Sequence, residues 1–127
     1  MTDSRTTIAQ LRRAVAQFVD RRDWQQFHCP KNLSMSMAIE AAELMEHFQW
    51  LSAEQSRRIV DEPEKLNKVA DELADVLCYA LAMANQLELD LSTAVRRKMA
   101  KNEQKYPADE FRGRYGPEDG PGPKDVS

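Results

Sequence analysis

The placement of glycine constrains this chain more than any other feature. All four glycines (Gly113, Gly116, Gly120 and Gly122) lie in its last fifteen residues. Tight hairpins depend on residues that accept positive φ, and nothing before Gly113 is a glycine. The body is therefore predicted to be all-α, and 127 residues leave room for one domain. Pro117, Pro121 and Pro123 crowd the same end, so 112–127 reads as a Gly/Pro-rich disordered tail behind a domain of 1–111.

Apolar spacing places four main helices and one short one. The first covers about Thr7 to Arg22, with Ile8, Leu11, Val15, Phe18 and Val19 at helical intervals. An aromatic connection, Asp23 to Lys31, follows, and Pro30 fixes its far end. The second helix starts at about Asn32 or Ser34 and runs to Trp50, with Met37, Ala38, Ala41, Leu44, Met45 and Phe48 as its apolar face. Ser52-Ala53-Glu54-Gln55 is a capping box that opens a short third helix. The fourth begins near Pro63, behind Asp61 and Glu62, and continues to about Leu87. Its stripe is Leu66, Val69, Leu73, Val76, Leu77, Ala80, Leu81 and Ala84. The fifth opens at Ser92, ends before Pro107 and is strongly basic. Long helices on short links make a helical bundle.

A net charge of −3 gives no general basic field for nucleic acid or an anionic membrane. Divalent cations can still couple an acidic protein to a phosphate-rich ligand. Cys29 and Cys78 form no CxxC pair, and Cys78, inside Val76-Leu77-Cys78-Tyr79, reads as a buried inert thiol. The N-terminus lacks the apolar core of a signal peptide and no stretch approaches transmembrane length, so a cytoplasmic protein is expected.

The chemistry is carried by carboxylates. Glu40-Ala-Ala-Glu43 lies on the second helix and Glu72-Leu-Ala-Asp75 on the fourth, each pair three residues apart and so on one helix face. Like charges so placed cost stability. If the two helices pack together, four carboxylates converge at the margin of their interface, a set of hard oxygens suited to Mg²⁺ or Mn²⁺. Solvated acids on amphipathic helices are the plain alternative. A di-iron bundle would need Glu-x-x-His on two helices, and neither His28 nor His47 stands in that spacing. Glu46 lies farther round its helix and is left outside the set.

With those pairs in place, the chain from about Ile8 to Phe111 resembles the MazG-like all-α nucleotide pyrophosphohydrolases, and among them the dCTP pyrophosphatase branch. The resemblance is carried by Arg22-Asp23-Trp24-Gln25-Gln26-Phe27-His28 with Pro30 and Asn32-Leu33, and by Glu43-Leu44 through Phe48-Gln49-Trp50. Glu72-Leu73-Ala74-Asp75-Val76-Leu77 with Tyr79 continues it, then Lys98-Met99 with Asn102 and Tyr106-Pro107.

The resemblance implies that Glu40, Glu43, Glu72 and Asp75 hold Mg²⁺. Trp24, Trp50 and Tyr79 would surround base and sugar, with His28 in the same loop. Lys98 and Asn102 would face the phosphates. Flat aromatic faces suit a base, and a lysine suits a phosphate. One position departs from that branch, since Val15 stands where its first helix carries a histidine; this bears on base preference more than on the reaction. The implied activity is metal-assisted hydrolysis of a nucleoside triphosphate, dCTP-like, to the monophosphate and pyrophosphate in a homodimer or homotetramer. The alternatives are dUTP or general triphosphate preference, or a non-catalytic helical binding module. The paired acids argue against the last, because a binder has little reason to keep such repulsion.

Overall fold

The structure is a computed structural model that describes residues 1–114. Every regular element among them is helical: α1 (Ile8–Arg21), α2 (Pro30–Glu46), α3 (Ala53–Arg57), α4 (Pro63–Leu87), α5 (Leu91–Lys105) and α6 (Ala108–Phe111), with 3₁₀ turns at Gln25–Phe27 and Arg58–Asp61. No helix of the described residues is long and apolar enough to cross a membrane. The tail expected from Arg112 lies, beyond Arg114, outside the described residues.

Local chemistry sets the helix ends. Thr7 caps α1 and Ser52 caps α3, each in a reciprocal box with the glutamine three residues on. α2 begins earlier than its apolar pattern suggested because Pro30 occupies its first turn, where a missing N–H costs nothing, and it ends at Glu46 instead of Trp50. Asp90 caps α5 in place of Ser92, its carboxylate accepting from the Thr93 N–H and hydroxyl. α1 and α4 end with non-glycine residues at positive φ, Asp23 and Glu88, both at 53°. In each case the following N–H (Trp24, Leu89) reaches back five residues (Val19 O, Ala84 O), as in a Schellman motif.

The described residues divide into two compact units, Met1–Leu89 and the part from Asp90 onward. In the first, α2 and α1 both pack on α4. Its core is Val19, Leu33, Ile59, Leu81, Ala82 and Ala84. Arg12 ties α1 to the end of α4: its guanidinium donates to Asn85 Oδ1, Ala84 O and Leu89 O, and Asn85 Nδ2 donates back to Arg12 O. In the second unit the Tyr106 and Phe111 rings meet edge to face at 5.2 Å.

Several expected core positions are exposed. Leu66, Leu73 and Leu77 on α4 are exposed although they share a helix line with the buried Ala84, and Ala38, Ala41 and Met45 stand open on α2. Both helices carry apolar residues over too much of their circumference for the neighbours in this unit to cover. Cys78, expected buried, is exposed because it continues the outward line of Asp71 and Ala74. Partial burial and the nearby Asp75 charge still push its thiol pKa up, which keeps the inert reading.

Candidate metal centre and nucleotide site

Along α2, Glu40, Glu43 and the capping residue His47 follow at i, i+3 and i+7, which returns His47 to within about 20° of Glu40 two turns on. Along α4, Glu72, Asp75 and Tyr79 repeat that spacing. The helices run antiparallel. Gln25, just before α2, receives a hydrogen bond from Gln86 Nε2, whereas His47 at its far end faces Glu72.

This packing brings one carboxylate oxygen each of Glu40, Glu43 and Glu72 within 4.8 Å of one another. Asp75, on the exposed side, stands outside that triplet but acts on it by its charge. Glu40 is pushed up from 4.5 to about 7, first by burial, then by contact with Glu43 and the charges of Glu43, Asp75 and Glu72. Glu72 is raised by burial, by Glu43 and by Asp75, and His47 alone pulls it the other way. One oxygen on Glu40 and one on Glu72 are sealed from solvent with no hydrogen-bond donor. Acceptor-only groups held together without donors are costly. A set of carboxylate oxygens of this kind suits a hard divalent cation.

The aromatic residues take different places. Trp24 is half exposed, its ring edge-on to Phe18 at 5.7 Å, and Arg22 covers the other ring at 3.6 Å. His28 lines a small pocket with Val15, Val19, Gln25, Ala82 and Asn85, so the residue that departs from the dCTP-type pattern opens into the same space. Trp50, beyond the other end of α2, is 88% exposed. The α4 positions tied to these two ends, Gln86 and Glu72, are fourteen residues apart, or about 21 Å of helix. One chain therefore does not bring Trp24 and Trp50 to the two faces of one base. Tyr79 is half-buried one turn beyond Asp75. Lys98 and Asn102 lie one turn apart on α5 in the second unit, Lys98 exposed and Asn102 half-buried.

Sequence reasoning set His47 aside because it lacked di-iron spacing. The signal was its distance of four residues from Glu43, which stacks it over the acidic pair.

The chain is 40% identical over 107 residues to dCTP pyrophosphatase 1 of Rattus norvegicus, covering 84% of this chain and 63% of that protein. It is 39% identical over 102 residues to dCTP pyrophosphatase 1 of Homo sapiens, covering 80% and 60%. The chain thus spans less than two thirds of the length of these relatives. A crystal structure of a pyrophosphatase from Archaeoglobus fulgidus superposes with a TM-score of 0.74 at 38% identity, covering 84% of this chain and 98% of that one. The MazG-like family profile matches residues 35–115, which include both acidic pairs. The chain belongs to the MazG-like family.

Proposed function

We propose that this chain is a divalent-metal-dependent nucleoside triphosphate pyrophosphohydrolase, dCTP-like in its substrate, that releases the monophosphate and pyrophosphate. One observation carries the reading: Glu40, Glu43 and Glu72 converge at an α2–α4 seam where two of their oxygens have no donor. Relatives named dCTP pyrophosphatase support the substrate class.

Glu40, Glu43, Glu72 and Asp75 would hold the cation. Bound Mg²⁺ or Mn²⁺ would neutralise the triphosphate and acidify a water. Glu40, raised to about 7 in the metal-free chain, would be held ionised by the bound cation. Lys98 and Asn102 would meet the phosphates, the lysine as compact positive charge. Tyr79, on the metal face of α4, would lie against the sugar.

The open stripe of Leu66, Leu73 and Leu77, together with Ile39 and Met45, supports a homodimer or homotetramer, because apolar surface of that extent calls for a partner. Assembly also resolves the distance between the tryptophans. Trp24 of one copy and Trp50 of another would share a base that one chain cannot enclose.

A panel of deoxy- and ribonucleoside triphosphates with Mg²⁺, with products separated by ion exchange, tests the assignment. Monophosphate and pyrophosphate are expected, fastest from dCTP. Diphosphate and orthophosphate, or no turnover of any nucleotide, would overturn it.

A further inference from the structure

We propose that His47 is a positioning residue for the candidate metal centre, an imidazole tether that orients the Glu72 carboxylate without ligating the cation itself. The inference rests on the reading of the carboxylates as metal ligands.

His47 Nε2 stands 3.9 Å from Glu72 Oε1, with both side chains about a quarter exposed. That is about 1 Å longer than a hydrogen bond. Glu72 Oε2 is the sealed, donorless oxygen of the same carboxylate. The carboxylate would thus divide its work, with Oε2 left for a cation and Oε1 turned toward the His47 imidazole. Opposite to the neighbouring carboxylates, the His47 imidazole favours the ionised form of Glu72.

The fold fixes this donor. His47 caps α2, its N–H bonded to Leu44 O, so its backbone is set by the same helix that carries Glu40 and Glu43. A partner that holds a ligating carboxylate by its second oxygen sets the ligand's angle and raises metal affinity, and loss of such a partner typically costs about 10–100-fold. His47 stands outside the three clustered carboxylate oxygens, which lie within 4.8 Å of one another.

The test is Mn²⁺ binding to the full chain without nucleotide, followed by electron paramagnetic resonance or calorimetry. H47L should weaken Mn²⁺ binding about 10-fold. H47Q, which keeps an N–H donor, should restore it to within about threefold. E72Q, which removes the ligand, should lose more than either. In turnover, H47L should raise the Mg²⁺ concentration needed for half-maximal rate and leave kcat at saturating Mg²⁺ near the parent value. Unchanged or tighter Mn²⁺ binding in H47L overturns the tether alone, and so does a loss in H47L as deep as in E72Q, which would make His47 a ligand. A parent that binds no Mn²⁺ overturns the tether together with the metal reading beneath it.

Discussion

Two stretches of α4 solve opposite problems. From Leu81 to Ala84 the helix is largely buried and the polar groups at its end are matched: Arg12 takes the carbonyls of Ala84 and Leu89 and the Asn85 side chain, and Asn85 returns a bond to Arg12. Two turns earlier, at Glu72 and Asp75, like charges are pressed against Glu40 and Glu43, and sealed oxygens lack donors. The clamped end holds the fold. The acidic seam works against stability in the metal-free chain, a local conflict of the kind expected at functional sites. If this contrast is right, changes at the two ends should separate stability from activity.

The largest effect should come from the seam. Glu40→Gln or Glu72→Gln should cut turnover by roughly 100-fold or more, measured at saturating Mg²⁺. The metal-free variants should melt at or above the parent temperature, because repulsion is relieved. At the clamped end the reverse is expected. Arg12→Ala should cost about 2 kcal/mol, or roughly 6–10 °C of thermal midpoint, by leaving the α4 carbonyls unmatched. Its Mn²⁺ affinity should stay near that of the parent.

pH gives a third, gentler separation. Glu40 titrates near 7 in the folded chain and at 4.5 when unperturbed. Between those values the folded state keeps a proton that the unfolded state has lost, so metal-free stability should fall as pH rises from about 4.5 to about 7. Urea unfolding in chelator across that range should record the decline. Glu40→Gln should flatten it, and Arg12→Ala should not.

The smallest expected effect belongs to the clamped end. Glu88 holds φ 53° at the α4 terminus, a conformation that glycine takes without strain. Glu88→Gly should raise stability by up to about 1 kcal/mol with turnover unchanged. Asp23→Gly should gain less, since aspartate tolerates that region better.

Much of this contrast was legible in the sequence, and the parts that were not have physical causes. Apolar spacing placed the helices, and the boxes at Thr7 and Ser52 are local chemistry that needs no partner. The ExxE and ExxD pairs set the seam because helical spacing alone fixes which side chains share a face. Register was not legible: which turn of α2 meets which turn of α4 depends on long-range packing, and only that pairing puts His47 on Glu72 and Asp75 at the rim. The apolar stripes were overread, since Leu73 and Leu77 satisfy helical periodicity without any neighbour in the unit to cover them. The separation of Trp24 from Trp50 was implicit in the 17 residues of α2 between them.

Thermal melting with and without Mg²⁺, in the parent and in Glu72→Gln, tests the central claim most directly, because the account requires a crossing. Without metal the variant should match or exceed the parent. With Mg²⁺ at about 100 times its dissociation constant the parent should gain about 2.7 kcal/mol and overtake the variant, whose midpoint should barely move. A parent that Mg²⁺ leaves unchanged, or a variant that is less stable than the parent in chelator, would contradict the reading of the α2–α4 seam as a metal centre.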